Sequence, residues 1–178
     1  MKIPLKNAAE LDAMRESCRM TASVLEQVAA AVQPGVTTGE LDALTRRLIA
    51  GMNAKPSFLG YRGYPGAICI SINDEVIHGI PGQRVVMPGD VVSLDVGVYY
   101  KGFHGDSATT VTVGVTDPDV IRLVETTRRA LEAAVAAVRP GCRLSDVSHT
   151  VEGIVQAGGC SVVRDFVGHG VGRHLHED

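Results

Sequence analysis

The sequence predicts an α+β fold of two similar α/β halves, each a pair of helices followed by strands. Three observations predict it. Apolar residues recur at three- and four-residue steps in long stretches that open on helix-capping residues. Two runs rich in Val, Thr and Tyr flank Lys101-Gly102 and read as a hairpin. The segment around Pro34-Gly35 returns around Pro140-Gly141, so the second half repeats the first. A chain of 178 residues is long enough to bury a sizeable core as one domain.

Asn7-x-x-Glu10 is a capping box: the Asn7 side chain accepts from the third helical N–H, and Glu10 reaches back to the cap. Leu11, Met14, Cys18, Leu25, Val28 and Val32 then mark one apolar face of a first helix. Pro34-Gly35 stops it. Thr37-x-x-Glu40 opens a second helix with Leu41, Leu44, Leu48 and Met52 toward the core, and Gly51 and Pro56 bracket its end. Ala67 to Ile72 reads as a buried strand and Asn73-Asp74 as a turn. Residues 91–100 and 103–113 form the hairpin strands. Asp117-Pro118 starts a third long helix, as N-cap and first-turn proline.

Ala30-Ala31-Val32-Gln33-Pro34-Gly35 recurs as Ala136-Ala137-Val138-Arg139-Pro140-Gly141, 106 positions later. The same offset lays Leu25 on Leu131 and Leu41 on Val147. The first half then covers about 7–115 and the second about 116–178. Strands of the first half begin near residue 68, so their counterparts are expected near residue 174, and the second half is expected to be incomplete at Asp178. Helix-stop chemistry is common, so chance matching of two Pro-Gly stops stays open as an alternative.

Hydrophobic content of 45% and charged content of 21% fit a soluble globular chain and exclude disorder. A net charge of −3 gives no reason to expect nucleic acid or an anionic membrane as partner. No apolar run approaches the roughly 20 residues that cross a bilayer. Met1 to Lys6 lacks the apolar stretch of a secretory signal. Cys18, Cys69, Cys142 and Cys160 are scattered, with no Cys-x-x-Cys pair, which points to free thiols in a reducing cytoplasm.

Asp95 lies in Val91-Val92-Ser93-Leu94-Asp95-Val96-Gly97-Val98, a neighbourhood where aspartate is depleted. With a two-residue turn at Lys101-Gly102, Asp106 faces Gly97 and Asp95 faces Ala108. The two aspartates are then diagonal neighbours on one face, roughly 5–8 Å apart, with small residues leaving room beside them. An extra turn residue or a bulge would break that parity. Two buried carboxylates at this separation repel and lose hydration, and a divalent cation between them relieves both costs. A carboxylate shared by two metals also suits the clamping of attacking and leaving oxygens in hydrolysis. Strand-end aspartates meeting water remain the alternative.

Residues 166–176 hold His169, His174 and His176 among three glycines. Imidazole joins carboxylates readily around zinc, iron or cobalt. In a regular strand His169 and His176 would point to opposite faces, so one shared site needs a bulge or turn between them, which the glycines permit. His78 follows the Asn73-Asp74 turn, where a neutral imidazole could donate to a substrate carbonyl. On its own it reads as structural.

Taken together, Asn73 to Pro81, Leu94-Asp95-Val96 with Gly102-Phe103-His104-Gly105-Asp106, and Phe166-x-Gly168-His169-Gly170-Val171-Gly172-x-x-x-His176 resemble the signatures of type I methionine aminopeptidases. The resemblance runs from about residue 7 to the end. It implies the pita-bread (creatinase/aminopeptidase) fold with pseudo-twofold halves, and removal of the initiator methionine from nascent proteins by metal-dependent hydrolysis. It implies two divalent ions, cobalt, manganese, iron(II) or zinc, held by Asp95, Asp106 and His169, with Asp106 bridging. His78 and His176 become the catalytic histidines that contact substrate near the scissile bond. Phe58, Tyr61, Tyr64, Cys69 and Leu175 become the lining of the methionine pocket, of which Phe58 and Leu175 differ from some members. The resemblance also implies the nascent chain's N-terminal Met as substrate, the ribosome as a partner and the cytoplasm as location. Two further glutamates, one a general base, are expected beyond Asp178, and Glu177 matches neither. Two other readings remain: an Xaa-Pro-type aminopeptidase relative, and a pita-bread fragment that binds peptide or protein without catalysis.

Overall fold

The computed structural model describes residues 3–177. The chain parts into two compact units, one reaching Gly114 and rejoined by the residues from His169 on, the other Val115–Gly168.

In the first unit, both predicted capping boxes form. Asn7 and Glu10 open α1 (Ala8–Ala30), and Thr37 and Glu40 open α2 (Thr38–Gly51). The buried face of α1 is rotated from the one expected. Leu11 and Cys18 are exposed, and Ser17, Thr21, Val24, Leu25 and Val28 are buried. The small polar pair satisfies itself: Ser17 Oγ donates to Val98 O at 2.7 Å and Thr21 Oγ1 to Ser17 O at 2.9 Å. These bonds let the helix backbone approach the sheet closely, which larger apolar side chains would prevent. In α2 the buried line runs Thr38, Leu41, Asp42, Thr45 and Ile49, and Leu44, Leu48 and Met52 pack at its border.

Four strands follow: β1 (Lys55–Pro56), β2 (Ile68–Ile72), β3 (Val91–Tyr100) and β4 (Phe103–Thr112). All pairings are antiparallel. β4 pairs with β3 over its whole length, so β2 and the short β1 share the other edge. The hairpin turn is the two-residue Lys101-Gly102, with φ of 48° and 86°. Both angles are positive, as the hairpin turn that matches strand twist requires. Asp95 pairs with Ala108 and Gly97 with Asp106, the register expected.

Alternation along the strands divides the sheet into two faces. Val92, Leu94, Val96, Val98, Ile68, Ile70 and Ile72 point to one face and form the core with Val24, Val28, Leu41 and Ile49 of the helices. The odd-numbered Cys69 and Asp95 therefore share the opposite face, directly paired across β2 and β3.

The second unit holds α3 (Pro118–Ala137) and α4 (Leu144–Ala157). Asp117 caps α3 as expected, its side chain accepting from Asp119 N. α4 begins and ends 106 positions after α2, so the repeat carries through to helix boundaries. Burial does not carry through. Only Thr126, Ala130 and Ala134 of these two helices are buried, and Leu131, Val135 and Leu144 are exposed. No strand forms near residue 174 among the described residues; Gly170 and Glu177 make a single antiparallel bridge instead.

Candidate active site

The polar face of the sheet floors a cavity of ≈ 460 Å³ in the first unit. Each predicted site residue lines it. β3 and β4 bring Asp95 and Asp106, and the segment after Gly168 brings His169, Leu175 and His176. The loop after β2 brings His78, and the stretch before it brings Phe58, Tyr61 and Tyr64, with Cys69 from β2 itself.

Asp95 and Asp106 sit where the register puts them, diagonal on one face. Burial raises the Asp95 pKa to about 7, and the charge of Asp106 beside it pushes the same way. Gly97 lies between them but does not leave open space. A methyl group there would stand 2.7 Å from Ser57 Cβ and 2.9 Å from the Phe58 ring. The missing side chain instead lets Phe58 lie over the strand as one wall.

His169 and His176 meet because the chain folds back between them. Gly170 and Glu177 exchange both backbone hydrogen bonds, at 2.8 and 2.7 Å. The turn needed to reconcile their odd spacing is thus present, and the two rings lie 4.2 Å apart. His169 Nδ1 is 3.0 Å from the Gly170 carbonyl, which can only accept, so the proton is on Nδ1. Nε2 then faces Asp106 Oδ2 at 3.7 Å. Tyr61 stacks on His176 at 5.3 Å and bonds its Nδ1 through Oη at 2.9 Å. Burial, then the neighbouring His169, pushes His176 below the usual histidine range, so its ring is neutral near pH 7.

Beside these polar groups, Phe58, Cys69 and Leu175 form a buried apolar cluster with Tyr61 and Tyr64 against it. Tyr64 Oη donates toward the carbonyls of Ile68 and Gly79, at 3.1 and 2.9 Å. Burial pushes the Cys69 thiol up to about 11, so it stays protonated and apolar. One cavity is therefore lined both by this apolar cluster and by the carboxylates and imidazoles.

Sequence reasoning passed over two contributors. Arg62 lines the cavity from a backbone with φ of 49°, its guanidinium 5.4 Å from the Tyr61 ring. His104, next to the strand turn, bonds Ser57 Oγ at 2.8 Å and lies tilted against Tyr99, ring centres 4.6 Å apart. Its backbone N–H donates to Gly172 O at 2.8 Å, tying β4 to the histidine segment. Only the adjacency of His104 to Asp106 signalled it beforehand.

Among the described residues, no three His, Cys, Asp or Glu side chains close on one point as ligands of a single ion. The donor set nevertheless fits a divalent cation. Two carboxylates lie side by side, one of them disfavoured as an anion, with His169 Nε2 3.7 Å from the other. A divalent cation between the two carboxylates would relieve their repulsion.

Residues 12–178 match the profile of metallopeptidase family M24. The chain belongs to that family. It is 45% identical to methionine aminopeptidase 1 of Bacillus subtilis over 97% of this chain and 70% of that protein. It is 42% identical to a methionine aminopeptidase of Clostridium acetobutylicum over 99% and 71%. The structure of Thermotoga maritima methionine aminopeptidase superposes with a TM-score of 0.96 at 43% identity, covering 99% of this chain and 72% of that one. Among M24 members, these relatives place the chain with the methionine aminopeptidases. Likeness to the Thermotoga maritima X-Pro aminopeptidase, with a TM-score of 0.77 at 19% identity, shows the shared pita-bread fold alone. M24 enzymes are metallopeptidases, so a divalent metal is implied.

Proposed function

We propose that the chain hydrolyses the bond after an N-terminal methionine, acting on nascent polypeptides in the cytoplasm as they leave the ribosome. What supports this reading is that the apolar cluster of Phe58, Cys69 and Leu175 lines the same cavity as Asp95, Asp106 and His169. Phe58, Cys69 and Leu175, with Tyr61 and Tyr64, offer a flexible methionine side chain a surface without charge. Asp95, Asp106 and His169 would hold the metal, two divalent ions of manganese, iron(II), cobalt or zinc. When bound, such ions supply Lewis acidity to the scissile carbonyl and to the attacking water.

The chain's own residues bind and orient the substrate. The carboxylates of Asp95 and Asp106 also suit a free α-amino group, which anchors the substrate by its N-terminus and excludes internal sites. With Tyr61 Oη donating to Nδ1, a neutral His176 would carry its proton on Nε2, available to a developing oxyanion. His78 lines the same cavity and steadies the amide on the leaving side. The apolar slot and the half-buried floor keep bulk water from the reacting carbonyl.

Release of methionine from a Met-Ala-Ser peptide by the full chain, with manganese or cobalt and a chelator control, tests the reading. Metal-dependent release, or metal-dependent binding of the peptide by calorimetry, supports it. Neither release nor binding, or equal handling of an Ala-Pro peptide, overturns it.

A further inference from the structure

The segment carrying His169 and His176 is glycine-rich and lacks a strand partner along most of its length, yet its residues are held at several points. Glu177, next to His176, has its side chain only 6% exposed. Its Oε2 pairs with Lys6 Nζ, the residue before the α1 cap. Its Oε1 accepts from the backbone N–H of Arg173 at 2.8 Å and of His174 at 3.3 Å. Arg173 in turn donates through Nη2 to Glu10 Oε1 at 2.8 Å, and its guanidinium lies 4.7 Å over the Phe103 ring. Glu10 is the capping-box residue, its other oxygen accepting from Asn7 N at 2.8 Å. A methyl group at Gly172 would collide with the Glu177 carboxylate, so the chain is built closely around it.

A carboxylate so buried is costly unless charge and hydrogen bonds meet it, and here both do. Glycines at 168, 170 and 172 otherwise leave this stretch many conformations. Neither Lys6, Glu10, Arg173 nor Glu177 lines the cavity. The geometry points to a latch: the start of α1, through Lys6–Glu177 and Glu10–Arg173, holds the histidine hairpin closed and so aligns His169 and His176. Glu177 and Lys6 are positioning residues, acting through the Gly170–Glu177 bridge on either side of which the two histidines stand. This rests on the reading of Asp95, Asp106 and His169 as metal ligands.

The test compares the full wild-type chain with Lys6→Met, Lys6→Arg and Glu177→Gln. Amide hydrogen exchange is followed by NMR without metal, and manganese(II) affinity by calorimetry. Lys6→Met and Glu177→Gln are expected to speed exchange at the Gly170 and Glu177 amides about tenfold or more, leaving β2 and β3 amides unchanged. Manganese affinity is expected to fall ~10-fold or more, as for outer residues that orient ligands, and Lys6→Arg should restore both. Unchanged exchange at Gly170 and Glu177 in Lys6→Met overturns the latch, as does an equal rise across the sheet. If the wild-type chain binds no manganese, the metal reading fails, and the exchange measurements still decide the latch.

Discussion

Asp95 concentrates the chemistry of the site in one group. Its carboxyl is raised from an unfolded value of about 3.9 to about 7 by burial, reinforced by Asp106. A raised acid favours folding while it is protonated. That stability is fully present below about pH 3.9 and is lost as pH rises through about 7. In chelator, urea denaturation at pH 5 and pH 8 should show the wild-type chain losing stability over that interval, and Asp95→Asn losing much less. An equally steep loss in the variant would place the effect elsewhere. His169 gives a second prediction. Its Nδ1 is committed to the Gly170 carbonyl, so Nε2 is the available donor. His169→Ala should weaken manganese or cobalt binding by at least ~10-fold in calorimetry, with little change in metal-free stability because the ring is a third exposed.

At the scale of elements, the hairpin and α1 together position the carboxylates. The two-residue turn sets which residues oppose, and alternation then places Asp95 and Asp106 on one face. The other requirement is a close helix. Gly105 lies against α1, and a methyl group there would stand 2.9 Å from the Cys18 backbone nitrogen. Helix backbone cannot yield as a side-chain tip can. Gly105→Ala should therefore cost about 1–3 kcal/mol by chemical denaturation. A neutral result would mean that α1 shifts freely on the sheet. Ser17 and Thr21 belong to the same contact, which explains why an apolar stripe was a poor guide to the buried face of α1. Close packing there selects small groups with internal hydrogen bonds, and hydrophobic periodicity does not register them.

Across the whole molecule, the repeat makes an internal comparison possible. Leu25 and Leu131 correspond under the offset of 106, yet one is 7% exposed and the other 60%. Leu25→Ala should cost about 2–5 kcal/mol, as for a buried leucine. Leu131→Ala should stay within about 0.5 kcal/mol. Comparable losses in thermal or urea denaturation would show that Leu131 is buried in solution. The pair also shows how far a repeat can be trusted. It carries helix boundaries, because caps and Pro-Gly stops are local, and it does not carry burial.

The features legible in the sequence are those that short-range chemistry decides. The capping boxes at Asn7 and Thr37, the proline start at Asp117-Pro118 and the Lys101-Gly102 register all depend on residues within a few positions, and all formed. The Asp95–Asp106 juxtaposition followed from that register by parity. The convergence of His169, His176, His78 and the apolar slot on those carboxylates was legible only through resemblance, since the contacts span as many as 115 positions, as between Tyr61 and His176. Arg62 and the Lys6–Glu177 pair had no sequence signal, and the place of His104 beside Asp106 did not reveal its bond to Ser57. Tertiary structure decided them, because which side chains meet across 47 or 171 positions depends on packing that no local pattern encodes.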